Sequence, residues 1–518
     1  MARKEVVLEL KAETGATKKD LKEVANGLEK VQDAAEETSE ETKKLGNDFS
    51  EMGGQLDTVT GGAITKFKGL LGGVKNVTKG FRTLKGAILS TGIGALVIAI
   101  GSLTAAFTSS EAGQDRFQKI LSQLGVIAGN VGDIFTSLGN VILETLSGNF
   151  DAAGDAFDLL KERDDYFKNY VGSPTPLIRL DNLTDYLGGA QIWAKVVSEN
   201  PGTAHKIYNV LVHCLMARRA GKKYVCTDTG AGMNGKNLAM VGKMLGLKVK
   251  IFMGVIDIKR QKKNVDVMKK YGAEVVPVTT GSQTLVDAVS ECMRYFVANC
   301  DTTHLVIGSS VGPSVWIRVC AWSAAQISRE LIVQLKEEFG KIPKKLKLLN
   351  CIGGGSSALG FWNEFIDYDK KQVELIGVEA GGSKRSKKHA APLTNGSKIG
   401  ILHGSAQYVI QDADGQIGET ESISAGLDYP GISAIHCFLK DTKRARYTSA
   451  TDEEALNAYK LVSKFENISP SLEPSHAFAE AIKIAPKLSK DTVLCINSCG
   501  HSLKDSSIIK SRLGYYTE

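Results

Sequence analysis

Between residues 17 and 56, apolar side chains recur at alternating steps of three and four. They fall at Leu21, Val24, Leu28, Val31, Ala35, Leu45, Phe49 and Met52, with Thr38 and Thr42 in two of the seam positions. Lys22, Glu23, Glu29, Lys30, Glu36 and Glu37 fill the other faces, so the spacing predicts an amphipathic helix or a short coiled coil. Residues 86–110 then run without a charge, about 25 residues and long enough for a bilayer span. Lys75, Lys79, Arg82 and Lys85 precede this hydrophobic helix while Glu111 and Asp115 follow it, as a positive-inside orientation requires. Gly, Ser and Thr dilute the run, and a self-associating buried helix is the competing expectation. From residue 170 the texture changes. Strand-like runs at 248–253, 273–278 and 346–352 alternate with helical patterns such as 264–271 and 284–298. That alternation predicts a parallel-sheet α/β enzyme of two doubly wound halves with a cleft between them. The expected organisation is an all-α segment over 1–160, then α/β domains over 166–323 and 324–518.

Composition sharpens the division near residue 160. All nine cysteines and all four tryptophans lie beyond residue 190, and residues 1–160 carry a slight acidic excess against a basic remainder. The net charge of +7 over 518 residues is mild and shows no basic clusters interleaved with aromatics, so nucleic acid is not an expected partner. With 43% hydrophobic residues the chain can bury a large core. The cysteines form no CxxC pair, which points away from a disulfide framework or a zinc site. The N-terminus lacks a secretory h-region, so a cytoplasmic location is expected and no metal is.

Three constellations carry candidate chemistry. Gly353, Gly354 and Gly355, followed by Ser356 and Ser357, stand between an apolar strand and a helical run. Glycines in that context let backbone N–H groups close on an anion at a helix N-terminus. Lys206 opens a second helical run after Gly202, Thr203, Ala204 and His205. A lysine there is ordinarily solvated, but a desolvated one can act as a Schiff-base nucleophile toward a carbonyl cofactor. The turn Thr229, Gly230, Ala231 and Gly232 follows a strand and offers backbone donors to a carboxylate, with Asp228 at its entry. Taken alone, each glycine turn is also an ordinary connection.

Together, in order, with "YVGSPTPLIRLDNLTDYLGGAQIWAK", "HLVIGSSVGP", "CIGGGSSALGF" and "LEPSHAFAEAIKIA", these runs make about residues 166–518 resemble the β subunit of tryptophan synthase. The resemblance implies a fold-type-II pyridoxal-phosphate lyase of tryptophan biosynthesis, joining L-serine and indole by β-replacement. It implies that Lys206 binds pyridoxal 5'-phosphate covalently and shuttles a proton. It places His205, Gly353, Gly354, Gly355, Ser356 and Ser357 around the phosphate, and Cys499 at the pyridine nitrogen. Thr229, Gly230, Ala231 and Gly232 would hold the substrate carboxylate. The implied partners are a second β chain and an α subunit. The order of residues 1–160, including "STGIGALVIAIGSL", resembles the start of phage tail tape-measure proteins and implies a helical, self-associating role.

Several positions depart from the family pattern. Its catalytic Glu is Asp228 here, and shortening by one methylene withdraws the carboxylate by about 1 Å, a misplacement that can cost on the order of a hundredfold in rate. A Gln-His pair is replaced by Met233 and Asn234. The pyridine-side Ser is Cys499, a weaker donor, and a substrate-side Asp is Arg446. The family's first fifty or so residues are replaced, which weakens the implied α-subunit contact. The competing expectation is therefore an impaired tryptophan-synthase-like domain fused to a structural helical segment.

Overall fold

Two parallel sheets carry the second of the two units into which the chain divides, Met1–Asp158 and Leu159–Glu518. A computed structural model describes residues 150–386 and 388–515. The heptad helix expected over 17–56 and the hydrophobic helix expected over 86–110 lie outside the described residues. Among the described residues, no helix is long and apolar enough to cross a membrane.

The strands, in chain order, are β1 (Leu177–Arg179), β2 (Gln191–Lys195), β3 (Tyr224–Asp228), β4 (Lys248–Gly254), β5 (Glu274–Val278) and β6 (Thr303–Val306). They continue as β7 (Leu346–Ile352), β8 (Val373–Ala380), β9 (Lys398–Leu402), β10 (Ser405–Val409), β11 (Ala445–Ala450) and β12 (Val493–Asn497). One sheet has the order β5-β4-β3-β6 and is parallel throughout. The other has the order β1-β2-β12-β7-β8-β11, parallel except for β1 at its edge, and β9 and β10 form a separate hairpin. Helices on both faces explain the strand sequences. β12 is buried at every position and β7 at all but Lys347, as near-continuous apolar runs in covered parallel sheets should be.

Strand order decides where a site can form. The chain runs from β3 outward through β4 and β5, then returns to the other side of β3 as β6. It likewise runs from β7 through β8 to β11, and returns beside β7 as β12. Each reversal opens a crevice at the strands' carboxyl ends. The loops that leave β3, β6, β7 and β12 there begin at Thr229, Ile307, Gly353 and Ser498.

The sheets do not divide the chain at residue 323, where the two expected domains meet. β1 and β2 belong to the six-stranded sheet, with β2 pairing in parallel with β12 from Gln191↔Val493 to Lys195↔Asn497. Ile192, Trp193 and Ala194 are buried there, so a strand early in sequence finds its apolar cover in the later sheet. A buried ion pair fastens this crossing. Lys195 Nζ donates to Glu330 Oε2 at 2.6 Å, to the Thr175 carbonyl at 2.6 Å and to Gln334 Oε1 at 2.8 Å. Glu330 also accepts from the Thr175 N–H at 2.8 Å. Burial pulls the Lys195 amine below its ordinary value, and Glu330 opposes that shift. Glu330→Ala would leave this cation buried beside neutral acceptors only, so a loss of about 3–5 kcal/mol in unfolding free energy is expected. Urea denaturation followed by tryptophan fluorescence measures it, and a loss under about 1 kcal/mol would contradict the assignment.

Candidate active site

Lys206 opens the helix Lys206–Arg219, most of whose residues are buried, so its first turn is held against the interior rather than offered to water. The entry is pinned to the end of β12. Ala204 bridges to Gly500, and the His205 N–H donates to the Cys499 carbonyl at 3.1 Å. Lys206 Nζ donates to the Gly308 carbonyl and stands 3.4 Å from Ser356 Oγ. The residue keeps some accessible surface because it faces a cavity, while the amine itself is enclosed by protein. Burial pulls that amine below its ordinary value of 10.5, with Cys320, Asp228, Cys499 and Glu473 opposing. A neutral amine is thereby favoured, the form that attacks a carbonyl.

Gly353, Gly354 and Gly355 follow β7 as the sequence predicts, and their backbone tolerates no side chain. Gly355 has φ +98°, and a Cβ there would meet His436 Cδ2 at 2.1 Å. A Cβ on Gly354 would lie 2.4 Å from Ser309 Oγ. The helix after the loop is short, Ser356–Trp362, so the glycine backbone and hydroxyls provide the cradle. Ser356 Oγ lies 3.1 Å from His205 Nε2 and accepts from Ser309 Oγ at 3.4 Å. Ser357 Oγ accepts from Asn350 Nδ2 and Asn497 Nδ2, each at 3.1 Å. His436 supports the loop from behind. Burial lowers its pKa to about 4, so the neutral ring donates from Nε2 to the Gly355 carbonyl at 2.9 Å. Its Nδ1 then accepts from the Tyr447 hydroxyl at 2.9 Å.

Two cavities adjoin at Lys206. The first is lined by His205, Lys206, Gly353, Gly354, Gly355, Ser356, Ser357 and Cys499 of the expected set. The second is lined by Asp228, Thr229, Gly230 and Ala231, with apolar walls from Leu285, Val289, Val311 and Tyr429. Gly232 shapes that loop from behind: its φ is +81°, and a Cβ would strike Asn264 at 2.6 Å. Asp228 ends β3, and its Oδ1 accepts from the Gly308 N–H at 3.4 Å. Burial raises its carboxyl, while the Gly308 hydrogen bond and Lys206 oppose this. Met233 faces both cavities, and Asn234 lines the second while its Nδ2 donates to Thr227 Oγ1 at 2.5 Å.

Arg446 does not join them, contrary to its expected place as a substrate-binding residue. It stands on β11, the edge strand, and lines neither cavity. Its guanidinium pairs with Glu374 at 3.1 Å and Glu480 at 3.2 Å, with the side chain 44% exposed. β11 runs beside β8, and Arg446 turns toward the acidic residues of β8 and the helix Leu472–Ile484. Conversely, sequence reasoning missed a buried charge cluster on the first cavity's wall. Glu473 accepts from the Gly426 N–H at 3.1 Å, Ser471 Oγ at 2.7 Å and Lys504 Nζ at 2.8 Å. Burial works to raise its carboxyl, but Lys504 beside it holds it below the ordinary carboxylate value. Lys504 also donates to Asp505 Oδ1 at 2.7 Å. The only sequence signal was the adjacent Lys504–Asp505 pair, since Glu473 lies 31 residues away. Among the described residues no group of His, Cys, Asp or Glu is arranged to hold a metal.

Residues 169–500 match the family described as pyridoxal-phosphate dependent enzymes. The chain belongs to that family. It is 44% identical over 348 residues to the tryptophan synthase beta chain of Chromobacterium violaceum, covering 67% of this chain and 86% of that protein. The beta chain of Stenotrophomonas maltophilia is 43% identical over 386 residues, covering 73% and 94%. That of Cereibacter sphaeroides is 45% identical over 373 residues, covering 71% and 90%. The cofactor of the family is pyridoxal phosphate, and the first cavity fits it. An enclosed amine suits its carbonyl, while three glycines, Ser356 and His205 form a cradle of donors for its phosphate. Gly355→Ala forces a side chain into that cradle, and a destabilisation of about 1–3 kcal/mol with loss of cofactor uptake is expected. Thermal unfolding and absorbance titration check this; unchanged values for both would contradict the loop's role.

Proposed function

We propose that the chain catalyses β-replacement, joining L-serine and indole to give L-tryptophan and water. The observation that carries this reading is Lys206 standing on the shared wall of two cavities, one with anion donors and one with apolar walls and a carboxyl group. Pyridoxal phosphate, when bound, supplies the electron sink that makes the serine α-hydrogen acidic. Lys206 Nζ takes that proton and returns it. The Thr229–Gly232 loop orients the amino-acid carboxylate through backbone donors. Leu285, Val289, Val311 and Tyr429 give the flat apolar nucleophile a surface from which water is displaced. Asp228, its carboxyl raised by burial, hands a proton to the departing serine hydroxyl and takes one from the indole nitrogen. Glu473 and Lys504 neutralise each other along the cavity wall and hold its edge rigid.

The name of the relatives, tryptophan synthase beta chain, supports an α subunit as a partner. A cytoplasmic location accords with nine free cysteines. The impaired-enzyme reading keeps one specific observation, the short carboxyl of Asp228.

The test is tryptophan formation from L-serine and indole by the full chain supplied with pyridoxal phosphate. Product is expected, and Asp228→Asn should lower kcat by about 10²–10⁴-fold. Asp228→Glu should raise kcat if reach limits the rate. A protein that takes up cofactor yet forms no tryptophan, and gains none with Asp228→Glu, would overturn β-replacement in favour of the impaired domain.

A further inference from the structure

Two sulfur atoms meet on the wall of the first cavity. Cys351, next to last in β7, and Cys499, two residues past the end of β12, hold their Sγ atoms 3.6 Å apart. Both are free, buried thiols, and both line the cavity that Lys206 opens into. β7 and β12 are hydrogen-bonded neighbours, so the pair sits at the mouth of one switch point rather than across a mobile gap. The reaction described above gives Cys351 no task.

We propose that Cys351 and Cys499 form an oxidisable dithiol, which a hydroperoxide closes to a disulfide, and that closure excludes pyridoxal phosphate from the cavity. The second half of this statement rests on the cavity being the cofactor site. The sulfurs need to approach only from 3.6 Å to the roughly 2.05 Å of a disulfide.

The surroundings divide the labour between the two thiols. The hydrogen bond from Cys351 holds the Cys499 thiol well below its ordinary value despite burial, and His205 and Ser357 add to this. The same hydrogen bond, with burial, pushes Cys351 well above its ordinary value. Cys499 is therefore the thiolate that attacks an oxygen of the hydroperoxide, giving a sulfenic acid and releasing the other oxygen as hydroxide, or as alkoxide from an organic hydroperoxide. The Cys351 sulfur then attacks the sulfenic sulfur. The S–O bond breaks as the S–S bond forms, and the hydroxyl leaves with the Cys351 proton as water. Two thiols are oxidised, one peroxide is reduced, and a small dithiol reverses the change by exchange. Cys226 and Cys292 also interact, but neither lines this cavity. Exclusion follows from geometry. Drawing Cys499 toward Cys351 shifts the carbonyl that accepts from the His205 N–H, one residue before Lys206. It also removes the thiol that faces the cavity.

The experiment treats the cofactor-free full chain with hydrogen peroxide, then reads peptide masses and pyridoxal phosphate uptake by absorbance. The expected result is a peptide pair joined through Cys351 and Cys499, lighter by two hydrogens, and loss of uptake that dithiothreitol restores. Prior loading with cofactor should suppress the linkage, and Cys351→Ser should lose both the linkage and the peroxide sensitivity of uptake. Two free thiols under conditions that oxidise the exposed Cys300 would overturn the proposal. So would a linked pair that leaves uptake unchanged, or full peroxide sensitivity persisting in Cys351→Ser. The linkage is read by mass without cofactor. A protein that forms it yet never takes up cofactor when reduced would contradict the cofactor assignment and leave the dithiol standing.

Discussion

The enclosure of one amine is the constraint on which the site depends. Taking a lysine amine out of water disfavours its charged form. Lys206 meets that condition by donating to the Gly308 carbonyl and standing beside the Ser356 hydroxyl, both neutral partners. The nearest full charges act at a distance: Asp228 ends the neighbouring strand, and Glu473 is already matched to Lys504. An ion pair at Nζ would hold the amine protonated and unreactive. The arrangement instead keeps a nucleophile at the meeting point of two cavities.

Holding that amine in place requires the two sheets to cooperate. The helix that starts at Lys206 is anchored at its entry to the end of β12, in one sheet, and its amine reaches the loop after β6, in the other. Both loops exist because each strand order reverses beside them. The glycines after β7 close the remaining side, and His436 fixes their path by donating from Nε2 to the Gly355 carbonyl. β2, reaching back from the start of the unit to pair with β12, ties the anchoring strand to the Lys195–Glu330 pair.

Local patterns carried most of what the sequence disclosed. Gly353–Gly355, the Thr229–Gly232 turn and Lys206 were legible because each lies at a strand-to-helix or loop-to-helix junction, where glycine and periodicity mark the backbone directly. The contribution of Glu473 and Lys504 was not legible, since their pairing is tertiary and spans 31 residues. His436 was hidden for the same reason: its partner, the Gly355 carbonyl, is 81 residues away. Arg446 was misplaced because an aligned position in an edge strand does not reveal which way the side chain turns. The membership of β1 and β2 in the later sheet follows from apolar strands seeking cover, which spacing along the chain does not encode.

The central claim is that Lys206, among the 64 Lys and Arg residues of the chain, is the one the cofactor joins. Borohydride trapping of the cofactor–lysine bond, followed by peptide mass mapping, tests it most directly. The account predicts a single pyridoxyl adduct on the peptide containing Lys206, at a stoichiometry near one per chain. An adduct on Lys504, on Lys236 or scattered over surface lysines, with the Lys206 peptide unmodified, would contradict it.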